Sequence, residues 1–295
     1  MKVIVTHNSP DLDAIAAIWL IKKFLPGWEE ALIQFVPAGE RIKGSRIGVV
    51  LIETINNNEV IHVDTGFGPL DHHDIQDENI SATSLTWEYI RKTQNLDSEK
   101  LRDRRRAIER MIKIITEADH FKEVFWQNPM ADYHEFSFLG ILEGLKFEKP
   151  DQDDFYVDFS IKCLDAILHN FENRIWAEKE IAEKGQEFKT RWGEGLGVET
   201  VNDAVLKLGQ KMGYTVVVRK DPRKGYIRIK AKPSINKQQE INLTLVHEQL
   251  KKMDPDATWF LHISKKMLLN GTPKNPKMKP TKLSLDDIIE VLKSV

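Results

Sequence analysis

Two short runs, Val3–Val5 and Val60–Val63, β-branched apart from His62, each stop at a side chain able to hold a metal or a proton. The first ends at Thr6-His7 and the second at Asp64. From Asp13 to Phe24, Ile15, Ile18, Trp19 and Ile21 recur at helical spacing, so the chain opens as strand, loop and helix. Further strands are expected at Leu32–Val36 and Gly48–Ile52. This alternation predicts an α/β chain whose N-terminal part is a parallel, doubly wound sheet. Sites in such sheets lie beyond the carboxyl ends of the strands, where both His7 and Asp64 fall.

Helices are expected over Ser84–Thr93, Ser98–Asp119, Tyr133–Leu145 and Phe155–Arg191. The second places Ile108, Met111, Ile112 and Ile115 on one side and the basic run Arg102–Arg106 on the other, which reads as a solvated face before a phosphate clamp. A helix as long as the last connects lobes or forms an interface, so a homodimer is among the expectations. Gly193–Gly197 reads as a linker, giving a domain over 1–192 and a smaller α+β domain over 198–295. In the latter, helices are expected at Val201–Met212, Leu243–Met253 and Leu285–Leu292. Strands are expected at Tyr214–Arg219 and Tyr226–Lys232, joined as a hairpin, and a buried one at Thr258–Ile263.

Charge divides along the same line. Residues 1–197 carry 24 Lys+Arg against 35 Asp+Glu, a net −11, and residues 198–295 carry 19 against 10, a net +9. A basic domain joined to an acidic one points to an anionic partner, with nucleic acid or a nucleotide first. No apolar run reaches the ~18–20 residues of a membrane span, and the opening MKVIVTH reads as a strand rather than a signal peptide. Cys163, the single cysteine, reads as a small core residue and excludes an intrachain disulfide, so the expected location is the cytoplasm.

The chemistry gathers in four stretches. His7-x3-Asp11-x-Asp13 follows the first strand and places an imidazole and two carboxylates within one turn. Carboxylates aimed at one place repel unless a cation neutralises them. Mixed nitrogen and oxygen donors suit Mn²⁺, with Mg²⁺, Co²⁺ or Zn²⁺ as alternatives. Taken alone, Asp11 or Asp13 also suits a helix N-cap. The second and third stretches are Asp64 and Asp71-His72-His73-Asp74, in which His72 can ligate while Asp71 fixes its tautomer. The fourth is Glu117-Ala118-Asp119-His120.

In order and spacing, His7/Asp11/Asp13, Asp64, Asp71-His72-His73 and Asp119 resemble the four N-terminal motifs of DHH phosphoesterases. That superfamily includes RecJ-type exonucleases, family II inorganic pyrophosphatases and small-nucleotide phosphodiesterases. "DTGFGPLDHHD" and "WFLHISKKMLLNG" look like the Myg-type branch, sometimes described as exonucleases, whereas Ser9–Asp13 is nearer the RecJ and pyrophosphatase pattern. The resemblance implies two divalent ions, Mn²⁺ first, with His7 and Asp11 on one, Asp13, His72 and Asp119 on the other, and Asp64 bridging. It also implies His73 facing the substrate phosphate as hydrogen-bond donor or acid, beside Asp71, with water activated by the metals as nucleophile. The glycine-rich stretch ending in histidine that binds substrate in many DHH C-terminal domains is absent. His262 and Asn270-Gly271 are its stand-ins, and Lys265, Lys266 and the lysines at 274, 277, 279 and 282 are further phosphate holders.

His62 reads as a core or supporting histidine, His120 as a supporter of Asp119, His134 and His169 as ordinary helix residues, and Trp259 as core. The leading expectation is a metal-dependent phosphodiesterase acting on nucleic acid, an exonuclease on single strands. The alternatives are hydrolysis of a small phosphate ester, such as a dinucleotide, cyclic dinucleotide or pyrophosphate, and a catalytically silent nucleic-acid-binding protein.

Overall fold

The computed structural model describes residues 1–46, 50–234, 240–272 and 274–295, and the chain divides into two compact units, Met1–Glu172 and Asn173–Val295. The fold is mixed α/β, with one sheet in each unit.

In the first unit, β1 (Lys2–His7) is central and runs parallel to β2 (Leu32–Val36) on one side and to β4 (Asn58–His62) on the other. The edge strand β3 (Glu53–Ile55) is antiparallel to β4, so the sheet is mixed where a wholly parallel one was expected. Its cause is local: Asn56 and Asn57 both take positive φ and close a tight hairpin. The expected strand at Gly48–Ile52 falls partly on residues 47–49, which lie outside the described residues, and Leu51 and Ile52 form a bend. The helix α1 (Leu12–Phe24) links β1 to β2, and its residues Leu12 to Ile21 are all buried. A helix apolar all round belongs in a core; here α1 packs against α2 (Ala82–Thr93) and α3 (Arg102–Asp119). A cluster of Val3, Val5, Val36, Ile55 and Val60, with Ile42 against it, forms a second part of the core. The arrangement sets the carboxyl ends of β1 and β4 side by side, His7 closing one and Asp64 lying just past the other.

The unit continues through α4 (Phe138–Glu148) and enters α5 (Asp153–Lys184), whose last part belongs to the second unit. His134 lies in a 3-10 turn ahead of α4. The arginine run on α3 is ion-paired: Arg102 with Glu99 at 2.8 Å, Arg104 with Glu172 at 3.4 Å and Arg105 with Asp97 at 3.4 Å. Cys163 on α5 is half-buried, and burial pushes its thiol above the ordinary value, which disfavours the reactive thiolate.

In the second unit, six strands run in the order β5 (Gln186–Thr190), β6 (Gly193–Glu199), β7 (Val216–Lys220), β8 (Ile227–Ala231), β10 (Met267–Asn270) and β9 (Trp259–Leu261). Only β6 and β7 pair in parallel, across α6 (Ala204–Met212); the other pairs are antiparallel. Two further helices, α7 (Thr244–Met253) and α8 (Leu285–Ser294), complete it.

Three expectations need correcting here. Residues 186–190 are a strand rather than the end of the long helix, and Gly193–Gly197 is strand rather than linker. Its glycines make room for neighbours: a Cβ on Gly195 would stand 2.5 Å from the Phe188 ring and one on Gly197 would stand 2.8 Å from Ile289. The strand expected at Thr258–Ile263 is an edge rather than a buried one, with Phe260 48% and Ile263 86% exposed. Among the described residues, no helix is long and apolar enough to cross a membrane.

Candidate metal centre

His7 closes β1. Its Nδ1–H donates to the carbonyl of Asn8 at 2.9 Å, which turns Nε2 toward Asp64 Oδ2 at 3.3 Å. Two acceptors facing each other at that distance need a proton or a cation between them. In the metal-free protein the proton serves. Burial alone would lower the His7 pKa, but the Asp64 hydrogen bond, the Asn8 carbonyl and the nearby Asp11 and Asp64 charges outweigh it and raise the imidazole to about 9.

Asp11 caps α1 with one oxygen and turns the other toward His7. Oδ1 accepts from Ala14 N–H at 3.0 Å and caps α1, while Oδ2 lies 4.0 Å from His7 Nε2. Asp13 is fully buried and accepts from the first backbone amides of α2, Ala82 at 2.7 Å and Thr83 at 3.0 Å. A carboxylate at a helix N-terminus meets unsatisfied N–H groups and the positive end of the dipole. Its Oδ2 also lies 3.8 Å from His72 Nε2, so Asp13 borders the cluster while anchored to α2.

Asp64 sits at φ 53°, a left-handed conformation that Asp tolerates better than most residues, and its N–H donates to Leu70 O at 2.9 Å. This closes the turn that carries Asp71, His72 and His73. Arg41 braces the turn: its guanidinium donates to Gly66 O at 2.8 Å and to Ser45 Oγ at 2.7 Å, and pairs with Glu53. Gly66 has φ +78°, and a Cβ there would stand 2.4 Å from Arg41 Cγ. We therefore expect Gly66→Ala to cost about 1–3 kcal/mol in urea unfolding, with weaker metal binding in a titration of the folded fraction. His62 belongs to this brace rather than to the cluster. It accepts from Ile42 N–H at 3.3 Å and faces Glu53 at 3.3 Å, and burial together with the Arg41 charge pushes it down to about 4.

His72 Nε2 stands 3.3 Å from Asp119 Oδ2 and 3.5 Å from Asp64 Oδ1. These three atoms are buried, and none has a hydrogen-bond partner among the described residues. Donor atoms ~2.1 Å from a common cation lie roughly 3.0–3.4 Å apart for octahedral or tetrahedral bond angles, so the spacing fits a divalent ion. Asp64 thus turns one oxygen to His72 and the other to His7, while Asp119 faces the same His72 nitrogen. Three overlapping groups of potential ligands result: Asp64/His72/His73, His72/Asp119/His120 and His7/Asp11/Asp64. His120 Nε2–H donates to Ile80 O at 2.8 Å rather than to Asp119, whose Oδ2 lies 3.8 Å away. Burial and then the charges of Asp13, Asp11 and Asp64 raise Asp119 to about 8, while burial, with Asp11 and Asp13, raises Asp64 to about 6. Burial lowers His72 below its ordinary value, leaving it neutral and ready to ligate.

Asp71 was expected to fix the tautomer of His72; instead it holds His73, accepting from Nδ1–H at 2.6 Å, from His73 N–H at 3.1 Å and from Phe67 N–H at 2.7 Å. The turn places its carboxylate under the second histidine of the pair, and His73 Nε2 is left for the cleft that this residue lines. Burial opposes protonation of His73, but the Asp71 bond and the surrounding carboxylates raise its pKa. Asp71→Ala is expected to reduce turnover by about 10–100-fold with metal stoichiometry retained, measured by steady-state kinetics beside a metal titration.

The residues expected to hold substrate belong to the second unit. Asn270 is fully buried, donating to Thr258 O at 2.9 Å and Lys279 O at 2.8 Å and accepting from Thr281 N–H at 2.7 Å. Gly271 has φ +81°, and a Cβ there would meet the Tyr226 ring at 2.1 Å. Both shape the loop through these contacts. Lys266 pairs with Glu240 at 3.0 Å, His262 meets Ser264 Oγ at 2.9 Å, and Lys265 is exposed in the turn between β9 and β10. Of the supporting groups, Arg41, Glu53, Ala82 and Thr83 escaped the sequence reading. An Arg and a Glu twelve residues apart, or two helix-start amides, carry no motif.

No protein-family model matches the chain, and no curated protein matches it by sequence. Among solved structures, it overlays on one described as a pGpG-specific phosphodiesterase, PggH from Vibrio cholerae, with a TM-score of 0.31 and 13% identity over 92% of this chain and 93% of that one. An overlap that loose says nothing about chemistry.

Proposed function

We propose that the chain hydrolyses phosphoester bonds with two divalent metal ions, Mn²⁺ first among them, in the manner of the DHH phosphoesterases its motifs resemble. One observation carries the reading: Asp64 Oδ1 and Asp119 Oδ2 both stand against His72 Nε2, all three buried and without a hydrogen-bond partner among the described residues, while the other Asp64 oxygen faces His7. Such a set is costly to maintain without a cation. His7 and Asp11 hold one ion, Asp13, His72 and Asp119 the other, and Asp64 both. Bound there, the ions supply a water nucleophile at neutral pH and offset negative charge on the phosphoryl oxygens. The chain's own contribution lies in Asp71 and His73. Asp71 fixes the His73 ring, and the protonated ring donates to a phosphoryl oxygen or to the departing oxygen. In this reading the N-terminal sheet is the doubly wound core of a DHH domain.

The substrate expected from sequence is single-stranded nucleic acid, with the +9 segment of residues 198–295 as its holder. The second reading, a small nucleotide or other small phosphate ester, has a specific observation in its favour: the cleft over the ligand cluster carries Lys146 as its one Lys or Arg among the described residues, against six acidic side chains. Both are tested together by offering end-labelled oligonucleotides, a dinucleotide, a cyclic dinucleotide and pyrophosphate to the Mn²⁺-loaded protein. Hydrolysis of any phosphoester, abolished by chelation and restored by Mn²⁺, supports the proposal. Turnover that survives exhaustive chelation removes it.

A further inference from the structure

An open cleft of ≈ 810 Å³ lies against Asp11, Asp13, His72, His73 and Asp119, and all its lining residues belong to the first unit. Its charge is lopsided. Two divalent cations would neutralise the four aspartates that hold them, leaving Glu123, Glu135 and Glu143 against Lys146. A nucleic acid strand needs cations along its backbone, and this wall offers one. A ligand with its phosphate at the metals and an uncharged remainder suits it better.

Part of the lining suits such a remainder. Phe121, Trp126, Met130 and Leu139 make up that part. Trp126 also borders an adjoining apolar recess with Met111, Ile114, Phe138 and Leu164. Its indole is held in place, because Nε1–H donates to Glu117 Oε2 at 3.0 Å and the His134 ring lies 6.3 Å away, tilted 33°. An aromatic side chain fixed by its polar edge offers a preformed face for stacking. Lys146 also lines the cleft; its Nζ donates to Ser9 O at 3.1 Å in the loop that carries Asp11, which leaves two of its three protons for a phosphate oxygen among the described residues.

We propose that this cleft seats a small phosphate ester bearing an aromatic ring, with Lys146 on the phosphate oxygens and Trp126 against the ring. The proposal deepens the metal-dependent reading and rests on it. In the Mn²⁺-loaded protein, binding of adenosine 5′-monophosphate and of ribose 5-phosphate by calorimetry isolates the contribution of the ring. The wild type is expected to prefer the former by roughly tenfold or more. Trp126→Leu keeps an apolar side chain and should erase that preference; Trp126→Phe should keep most of it. Lys146→Ala should weaken both ligands alike and leave Mn²⁺ stoichiometry unchanged. The subsite is overturned if the wild type shows no preference, if Trp126→Leu retains it, or if affinity climbs steadily with oligonucleotide length. A wild type that binds no Mn²⁺ overturns the metal reading as well, whereas normal Mn²⁺ binding with no ring preference overturns the subsite alone.

Discussion

Asp64→Asn is expected to lose tight divalent-metal binding and to lower phosphoester hydrolysis by more than about a thousandfold, because loss of a supporting group alone costs about 10–100-fold and Asp64 is a shared ligand. The asparagine is close in shape and tolerates the left-handed φ of 53° at this position, so the turn to Leu70 should persist. What changes is the pair of oxygens. A single oxygen is left to face either His7 or His72, and the new NH₂ presents donors on the other side, where a cation would lie. The folded state should not suffer, since the replaced carboxyl is one that burial and its acidic neighbours already raise to about 6. Thermal melting without metal therefore separates this effect from misfolding. His72→Ala should behave alike toward metal. An Asp64→Asn protein that binds Mn²⁺ as tightly as the wild type would contradict the bridging role.

Without metal, the wild type is expected to become less stable as pH rises from 6.5 to 9, by on the order of 1–3 kcal/mol after discounting for solvent reaching the cleft. The sign follows from two groups. Asp119 titrates near 8 in the folded chain and near 3.9 unfolded. The native state therefore holds more protons than the unfolded state, and stability falls as pH climbs through 8. His7, raised from 6.5 to about 9, contributes stability that is full below 6.5 and lost through 9. His62, lowered to about 4, acts oppositely, but its effect falls between 4 and 6.5, below this window. A divalent ion replaces those protons. Mn²⁺ at a hundred times its dissociation constant should add about 2.7 kcal/mol, and the gain should be larger at pH 9 than at 6.5 because protons compete less. Chemical denaturation across this range, with and without Mn²⁺, checks both statements. A flat or rising metal-free profile would contradict the crowding of charge around Asp119.

Much of this site was legible because strand ends and motif spacing are local properties. His7 and Asp64 could be placed at strand ends from Val3–Val5 and Val60–Val63 alone, and α1 from its apolar spacing, whereas the pairing of the two strands came from the fold. What escaped depends on contacts between distant residues. Gly195 and Gly197 read as a linker since glycine favours loops, yet each is small to admit Phe188 or Ile289. The burial of Asn270 and its bonds to Thr258, Lys279 and Thr281 follow from folding and carry no sequence signal. Asp71 could have served either histidine beside it, and only the folded turn decides for His73. The antiparallel edge β3 is three residues long, too short for a periodic signal.

The most direct measurement is anomalous diffraction at the manganese edge from crystals soaked in Mn²⁺. Two peaks about 3.5–4 Å apart, one on each side of the Asp64 carboxylate and bordered by His7 and His72, are the expected result. No peak within reach of Asp64, or manganese found solely on exposed acidic side chains elsewhere, would contradict the account.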